Sequence, residues 1–436
     1  MGGNSGATAL RDLLVATKDG DWGKDAPGDG LVPYRVIRGT DFPSVRLGDT
    51  TSVPIRYLSK STVHRRTLVA DDILLETAGG SPERPTGRSL LITEELLSSL
   101  DLPATCASFA RFLRVNRAKA EPNYVYWFLQ YLYSSGQMEE HQVQHTGVAR
   151  FQYTKFAETQ GIPLPPRDDQ RAIAQILGTL DDKIEQNRRI NETLEAMARA
   201  LFKSWFVDFD PVRAKAEGRD PGLPKPLAAL FPARFVDSEL GEIPEGWEVK
   251  SLPEIAGFLN GLALQKYPPT DDCWLPVIKI AQLRTRNTVG ADRANADLDP
   301  AYVVKDGDIL FSWSGALECV LWAGGRGALN QHLFKVTSSS HPRWLCYLGI
   351  HEHLEDFRHI AAGKATTMGH IQRHHLSDAK LAIPTTPLLS AADSQISPLI
   401  ESLWRLDVES RTLAAIRDEL LPKLISRKLR VRTMGA

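Results

Sequence analysis

Two long stretches of the chain share one pattern of apolar residues. After Pro166, apolar or small residues alternate at spacings of four and three, and the same alternation follows Pro398. Subtracting 219 from each position of the second pattern gives a position of the first pattern, so the two are in phase. The pattern therefore predicts two long helices, each ending one copy of a repeated unit. The predicted packing positions are Ile173, Leu177, Leu180, Ile184, Leu194 and Leu201 in the first helix, and Leu399, Leu403, Leu406, Leu413 and Leu420 in the second.

Polar residues interrupt both apolar patterns. Asn187 and Asn191 do so in the first helix, and Asn191 coincides with Ser410 of the second. Because helices with matching apolar seams can pack against each other, we predict an intramolecular coiled coil. Two alternatives stay open: each seam faces the core of its own domain, or it pairs with a second chain.

Short matches elsewhere support the duplication. They occur in the same order in both halves, and their offset drifts from roughly 240 to roughly 220, as loop insertions would cause. The matched pairs begin at Leu10 and Leu252, Val36 and Val277, Asp72 and Asp308, Phe112 and Leu333, and Gly161 and Ala382.

Length and composition fit a folded protein with more than one domain. The chain has 436 residues, of which 42% are hydrophobic and 24% charged. Short apolar runs between Gly and Pro predict strands, and residues 124–133 and 344–353 predict aromatic-rich helices. We predict an α+β fold with two similar domains and two long helices. The predicted boundaries are 1–165 for the first domain, 166–207 for the first long helix, 208–244 for a linker, 245–386 for the second domain, and 387–436 for the second long helix and tail.

Several functional classes lack their sequence signals. Four scattered cysteines form no CxxC pair, and the histidines do not follow zinc-site spacing, so we expect neither a disulfide framework nor a metal site. No signal peptide or apolar run of membrane-spanning length is present, which favours a cytoplasmic protein without a membrane partner. No phosphate-binding GxxxxGK[ST] loop or methyltransferase motif occurs, so we expect no catalytic residue in this chain and no cofactor bound by it.

Charge is distributed unevenly although the net charge is only −1. Residues 50–70 and 102–120 contain no acid and several cations, while acids gather at 168–220 and after 401. Such basic regions can bind phosphates locally, although charge runs are also common on solvated faces. Gln pairs with adenine and Arg with guanine in two-point contacts, so the loops at 146–156 and 365–376 are candidates for DNA reading. The candidate DNA-binding residues are Lys60, Arg84, Arg88, Arg150, Gln152, Lys155, Trp313, Arg326, Lys364, His370, Gln372 and Arg373.

Five segments carry a family resemblance, at residues 162–187, 201–212, 241–249, 308–315 and 327–336. Through them nearly the whole chain resembles the specificity subunit of type I restriction-modification enzymes. The resemblance implies two target-recognition domains, each reading half of a split, asymmetric site in double-stranded DNA, with the long helices paired antiparallel as a spacer.

The resemblance also implies how the work is divided between subunits. This chain would direct adenine methylation or cleavage without catalysing either. Two methyltransferase (M) subunits would bind S-adenosylmethionine, and motor and nuclease (R) subunits would bind ATP and Mg. One alternative, from another functional class, is a non-enzymatic scaffold whose helices join separate chains. A further alternative is a self-sufficient nuclease or methyltransferase.

Overall fold

The structure, a computed structural model, describes residues 7–80, 84–145, 148–270, 273–363 and 369–431. They divide into two compact units. The described residues of Met1–Glu185 and Leu413–Ala436 form the first unit, and those of Gln186–Thr412 form the second. Within the described ranges, no helix has the length and apolar character needed to cross a membrane.

Strands occur throughout both halves of the chain. The first half contains β1 (Ala7–Ala9), β2 (Leu14–Asp19), β3 (Leu31–Ile37), β4 (Ile55–Ser59), β5 (Ile73–Glu76), β6 (Ala78–Gly80), β7 (Ser89–Leu91), β8 (Ala104–Cys106), β9 (Ala110–Val115), β10 (Gln142–His145), β11 (Val148–Phe151) and β12 (Gly161–Pro163). The second half contains β13 (Phe235–Ser238), β14 (Gly241–Pro244), β15 (Glu248–Ser251), β16 (Gly257–Asn260), β17 (Trp274–Ile278), β18 (Arg293–Asn295), β19 (Val303–Val304), β20 (Ile309–Ser312), β21 (Cys319–Leu321), β22 (Gly327–Leu329), β23 (Leu333–Thr337) and β24 (Lys380–Ile383).

Helices connect these strands and follow each domain. They are α1 (Phe42–Arg46), α2 (Lys60–Arg66), α3 (Glu94–Ser99), α4 (Pro122–Ser134), α5 (Tyr153–Thr159), α6 (Arg167–Phe202), α7 (Asp210–Ala216), α8 (Lys225–Ala228), α9 (Leu252–Ile255), α10 (Ile280–Thr285), α11 (Arg343–Glu352), α12 (Leu354–Ala362), α13 (Arg373–Asp378) and α14 (Thr386–Ile425). Short 3-10 turns cover Leu10–Leu13, Gln137–His141, Leu264–Lys266 and Pro300–Tyr302, and a π-helical turn, Lys203–Val207, continues α6.

The sheets repeat from one unit to the other. The first unit contains a four-stranded antiparallel sheet in the order β2-β9-β5-β7, and the second contains β16-β23-β20-β21. Beside it, β3 pairs in parallel with β8, as β17 does with β22. The first and last strands of each domain also pair, β1 with β12 and β15 with β24. The predicted α+β fold with an internal repeat is therefore confirmed.

Burial explains why the central strands form where they do. All four residues of β5 and of β20 are buried, as expected for strands covered on both faces. Helix α4 packs its aromatic side chains into the core of the first unit, and α11 packs Trp344 and Tyr347 into that of the second. These helices match the two aromatic-rich helices expected at 124–133 and 344–353.

The long helices contact each other within each unit. In the first unit, Ile173 and Leu177 of α6 share a core with Leu421 and Leu424 of α14. In the second, Asn187 Nδ2 donates to Glu409 Oε2 at 2.9 Å, whereas Asn191 Nδ2, further along α6, donates to the earlier carbonyl of Leu403 at 3.0 Å. As residue numbers rise along α6, the residues that it contacts on α14 have falling numbers, so the two helices are antiparallel. The eleven predicted packing residues are buried or half-buried.

The segment predicted as a linker is more ordered than its composition suggested. Residues 208–244 include α7, α8 and the β13–β14 hairpin. Phe209 takes a left-handed conformation (φ 55°) where the chain leaves the long helix. Val212, Phe231 and Ile243 are buried in the core of the second unit. The expectation of a simple linker is corrected, because these apolar side chains anchor the segment.

Candidate nucleic-acid interface

The two candidate reading loops are held by the same backbone hydrogen bonds. Phe151 N donates to Thr77 O, and Ile371 N donates to Trp313 O, each at 2.9 Å. Phe151 and Ile371 are both buried. Each loop therefore begins a short helix, α5 or α13, next to the end of a central strand, β5 or β20.

Three of the first-domain candidates lie on this loop. Arg150, Gln152 and Lys155 are all exposed. Gln152 and Lys155 line an open depression of about 510 Å³, together with Arg111 and Tyr153. Among the described residues, neither Arg150 nor Lys155 has a carboxylate within ion-pair distance, so both cations face solvent. Burial, together with Lys155, lowers the pKa of nearby His141.

Arg111 shows how a nearby cation is instead engaged by the fold. Its guanidinium pairs with Asp19, with Nη2 2.6 Å from Oδ2, and lies 4.2 Å from the centre of the Tyr153 ring. This arrangement fixes Tyr153 at the edge of the depression. The free cations of the site are thus those on the loop and α5.

A second cavity lies in the first domain beyond the β8–β9 turn. It has a volume of about 540 Å³, and Trp22, Arg38, Arg84 and Phe109 are among its lining residues. Phe109 is 57% exposed and Trp22 37% exposed, so both rings present apolar surface to solvent. Sequence reasoning missed Trp22, Arg38 and Phe109; the available signal was an aromatic residue in a turn between two strands.

The second-domain candidates lie around Trp313, which is half-buried. Its Nε1 donates to Asn260 Oδ1 at 3.0 Å and to the carbonyl of Gln331 at 3.1 Å. The ring centre lies 5.7 Å from that of His332 and 6.4 Å from that of His370. The fold thus brings Trp313 and His370 together.

Other second-domain candidates flank α13. Gln372 is exposed where α13 begins, and its backbone N–H donates to His375 Nδ1 at 2.9 Å. Arg373 is exposed and lies 5.9 Å from the Phe334 ring. Lys364 lies outside the described residues.

The prediction that Arg88 reaches phosphate is wrong. Its side chain is only 13% exposed, and it binds the buried carboxylate of Glu76 through Nε at 2.9 Å and Nη2 at 2.6 Å. Arg84 is half-buried, and its Nη2 donates to the carbonyl of Gly79 at 2.9 Å while it lines the larger cavity. Of the two arginines, Arg84 alone keeps a place on the candidate surface.

Lys60 and Arg326 are exposed, and neither lines the depression or the cavity described above. Lys60 opens α2, and Arg326 lies between β21 and β22. No cluster of three His, Cys, Asp or Glu side chains suited to a metal occurs within the described part of the chain.

Matching hydrogen bonds align the two surfaces residue by residue. Thr77 N donates to Phe109 O in the first domain, and Trp313 N donates to His332 O in the second. Phe109 therefore occupies the position of His332, and Thr77 that of Trp313. The sequence match that began at Phe112 and Leu333 is corrected by two residues, because the strand register aligns Ala110 with Leu333. The framework is shared, but the side chains at the surface differ in size and polarity.

Comparisons with known proteins match this arrangement. The family model of the type I restriction modification DNA specificity domain matches residues 41–196 and again 244–416. The specificity subunit of the type I restriction enzyme MjaIX of Methanocaldococcus jannaschii is 27% identical over 326 residues, covering 70% of this chain and 69% of that protein. The HindI specificity subunit of Haemophilus influenzae is 26% identical over 316 residues, covering 60% and 68%.

A solved structure is similar in fold. The crystal structure of the type I restriction-modification system S subunit from M. genitalium aligns with a TM-score of 0.55 at 13% identity, covering 97% of this chain and 98% of that chain. The two matches to the family model together cover more than half of the sequence. The chain therefore belongs to the family of type I restriction modification DNA specificity domains, and it carries two copies of that domain.

Proposed function

We propose that this chain is the subunit that reads a two-part, asymmetric site in double-stranded DNA and directs adenine methylation or cleavage by partner subunits. The observation that carries the proposal is the shared framework with unlike surfaces. Two domains that hold their loops by the same hydrogen bonds present Arg150, Gln152 and Phe109 in one case, and His370, Gln372 and His332 in the other. Similar domains with different surface chemistry suit two different half-sites.

The side chains of the first loop suit a DNA groove. Arg binds guanine and Gln binds adenine through two hydrogen bonds, and lysines hold phosphates without reading sequence. We assign base contacts to Arg150 and Gln152 and a phosphate contact to Lys155, because all three are exposed on one loop and the helix it begins.

The cavity beside Phe109 adds an apolar contact to this domain. An exposed aromatic ring can contact thymine methyl groups or the faces of unstacked bases, and Arg84 lines the same cavity. Arg38 also lines it, but its guanidinium is paired with Asp41, with Nη2 2.7 Å from Oδ1. In the second domain we assign the contact equivalent to that of Phe109 to His332, and a base contact to His370, which occupies the position of Arg150.

Partner subunits supply the chemistry in this proposal. Two methyltransferase subunits would bind S-adenosylmethionine, and motor and nuclease subunits would bind ATP and Mg; this chain would bind none of these and catalyse no step. The paired long helices would set the distance between the half-sites. Helix α6 has 36 residues, about 54 Å at 1.5 Å per residue, which exceeds the roughly 34 Å of one DNA turn. The alternative of an interchain scaffold is not favoured, since the family match covers both domains.

The test is to map adenine methylation made by the full complex with its methyltransferase subunits. We expect a non-palindromic motif of two parts separated by a fixed gap. The same map for the Arg150→Ala, Gln152→Ala double variant should lose base preference in one part only. A palindromic or one-part motif, or equal relaxation of both parts, would contradict the proposed function.

A further inference from the structure

An arginine of each recognition domain reaches an aspartate on the long helix that follows that domain. In the first unit this is Arg46, the last residue of α1. Its Nη2 lies 2.6 Å and its Nε 3.2 Å from Asp181 Oδ2 on α6. Arg46 also donates from Nη1 to Gln130 Oε1 at 3.1 Å, and its guanidinium lies 5.9 Å from the Trp127 ring. These contacts hold the guanidinium on its own domain while it binds the helix.

The same aspartate also binds the other long helix. Arg417 Nη1 of α14 donates to Asp181 Oδ1, the oxygen that Arg46 leaves free. Both partners are mostly buried, with Arg417 19% and Asp181 21% exposed. Burial opposes the charge on Arg417, but the Asp181 carboxylate outweighs it and the pKa of Arg417 is raised. One carboxylate thus joins the domain and both helices.

The second unit repeats this arrangement with different residues. Arg286, which follows α10, donates from Nη1 to Asp407 Oδ2 at 3.1 Å. Asn191 Nδ2 of α6 donates to Asp407 Oδ1 at 2.7 Å and to the carbonyl of Leu403 at 3.0 Å. Asp407 therefore uses one oxygen for its recognition domain and the other for the opposite helix, as Asp181 does.

The two arginines lie within one residue of each other when the duplicated domains are aligned, since Arg46 aligns with Asn287. Arg46 ends the short helix after β3, and Arg286 follows the short helix after β17. Helix α1 corresponds to α10 in the repeat, because the preceding residues Val36 and Val277 match in sequence. An aspartate side chain is short and has few rotamers, so an arginine bound to it has little freedom to move along the helix. Arg46 binds one oxygen of Asp181 through two nitrogens, and Arg286 binds one oxygen of Asp407 through one nitrogen.

We propose that Asp181 and Asp407 are positioning residues, each fixing the angle of its recognition domain on the pair of long helices and thereby the gap between the two DNA half-sites. This inference rests on the proposed function. It assigns spacing selectivity to two carboxylates that contact no DNA, in addition to the length of the helices.

The test measures methylation by the full complex on a DNA library that carries the two mapped half-sites at every gap within a few base pairs of the natural one. The variants are Arg286→Gln, Asp407→Asn and Asp181→Asn. Arg286 is 54% exposed, so its replacement leaves the fold intact even if an aspartate variant does not fold. We expect methylation at neighbouring gaps, relative to the natural gap, to rise about fivefold, the effect of one lost charge-assisted hydrogen bond. The base preference of each half-site should stay unchanged.

A control and a rescue make the readout specific. Glu419→Gln removes an acid of α14 that is 70% exposed and that pairs, among the described residues, with Lys423 on the same helix; it should leave the gap distribution unchanged. The charge reversal Arg286→Asp with Asp407→Arg should restore a narrow distribution. The Oδ1 of Asn191 accepts no hydrogen bond from the described residues, so it can accept one from the new arginine.

Two results are decisive against the inference. A narrow, unchanged gap distribution in Arg286→Gln and in the folded aspartate variants overturns the positioning role and leaves the proposed function standing. Equal broadening by Glu419→Gln also overturns it, because the effect would then not depend on the domain contact. If the wild-type complex shows no two-part motif, the proposed function itself fails, and this inference fails with it.

Discussion

The two recognition domains have one backbone framework and two different surfaces. Gly20 N donates to Ala110 O and Gly261 N to Leu333 O, at 2.9 and 3.0 Å, so the interior turns coincide. At the rim, Thr77 and Phe109 of the first domain stand at the positions of Trp313 and His332 in the second. The comparison indicates that backbone hydrogen bonds preserve the fold after duplication. The side chains at surface positions next to those bonds can differ, and with them the DNA sequence that each domain recognises.

The largest expected effect tests the shared framework. A Cβ on Gly20 would stand 1.9 Å from Cys106 O, and one on Gly261 would stand 2.2 Å from Asn330 O. Because backbone atoms must shift in both cases, we expect Gly20→Ala and Gly261→Ala each to lower the free energy of unfolding by about 3 kcal/mol. Hydrogen exchange of each domain measures the loss separately. Gly178→Ala on α6, where no atom lies within 4 Å, is the control and should stabilise slightly. If only one of the two glycines tolerates replacement by alanine, the two domains do not share this part of the backbone framework.

The next effect tests the unlike surfaces. The Arg150→Ala, Gln152→Ala double variant should lose about 2 kcal/mol of discrimination at one half-site, because two-point base contacts contribute about 1–3 kcal/mol each. The matched His370→Ala, Gln372→Ala double variant should act on the other half-site. Binding of the full complex to DNA with single-base changes measures both. A loss shared between the half-sites would show that the loops do not read separately.

An effect of similar size depends on a histidine that α11 carries and α4 lacks. Burial, together with the charge of Arg199, lowers the pKa of His351 to about 4. An unfolded histidine has a pKa near 6.5, so the unfolded chain binds an extra proton between about pH 6.5 and pH 4. The stability from neutral His351 is complete above this window and is lost as the pH falls through it.

The measurement compares unfolding at pH 7 and pH 4.5 in wild type and His351→Phe. The wild type should lose about 2 kcal/mol more than the variant, and the loss should lie in the second unit. The ring of phenylalanine preserves the contact with Tyr347, whose ring centre lies 4.5 Å from that of His351. Identical pH dependence in the two proteins would contradict the assignment.

The smallest effect concerns the contacts between the long helices. These are apolar at Leu177 in the first unit, whereas Asn187 in the second is fully buried. Its Nδ2 donates to Glu409 and Ser410, but its Oδ1 accepts no hydrogen bond from the described residues. Replacing a partly satisfied buried amide with an apolar side chain often stabilises, so Asn187→Leu should raise the free energy of unfolding by about 1 kcal/mol. Thermal unfolding measures this; destabilisation would indicate that the amide contributes more than its two bonds suggest.

The sequence was most informative where periodicity carried the signal. The phase of the apolar seams predicted two long helices, and ordered short matches predicted a repeated α+β domain, because a regular helix or strand must bury one side of itself. Isolated polar residues were less predictable. Arg88 looked like part of an exposed loop, but its partner Glu76 lies on the neighbouring strand, and only the β5–β7 register brings the two charges together.

By itself, then, the sequence determined the duplication, the fold class and the family, since all three depend on residue order and local periodicity. The tertiary structure alone decided which cations are free, that Phe109 and Trp22 border a cavity, and that Asp181 and Asp407 each join a domain to two helices. The physical reason is that ion pairs and cavities depend on side chains far apart in the chain, and their distances are set only when sheets and helices pack.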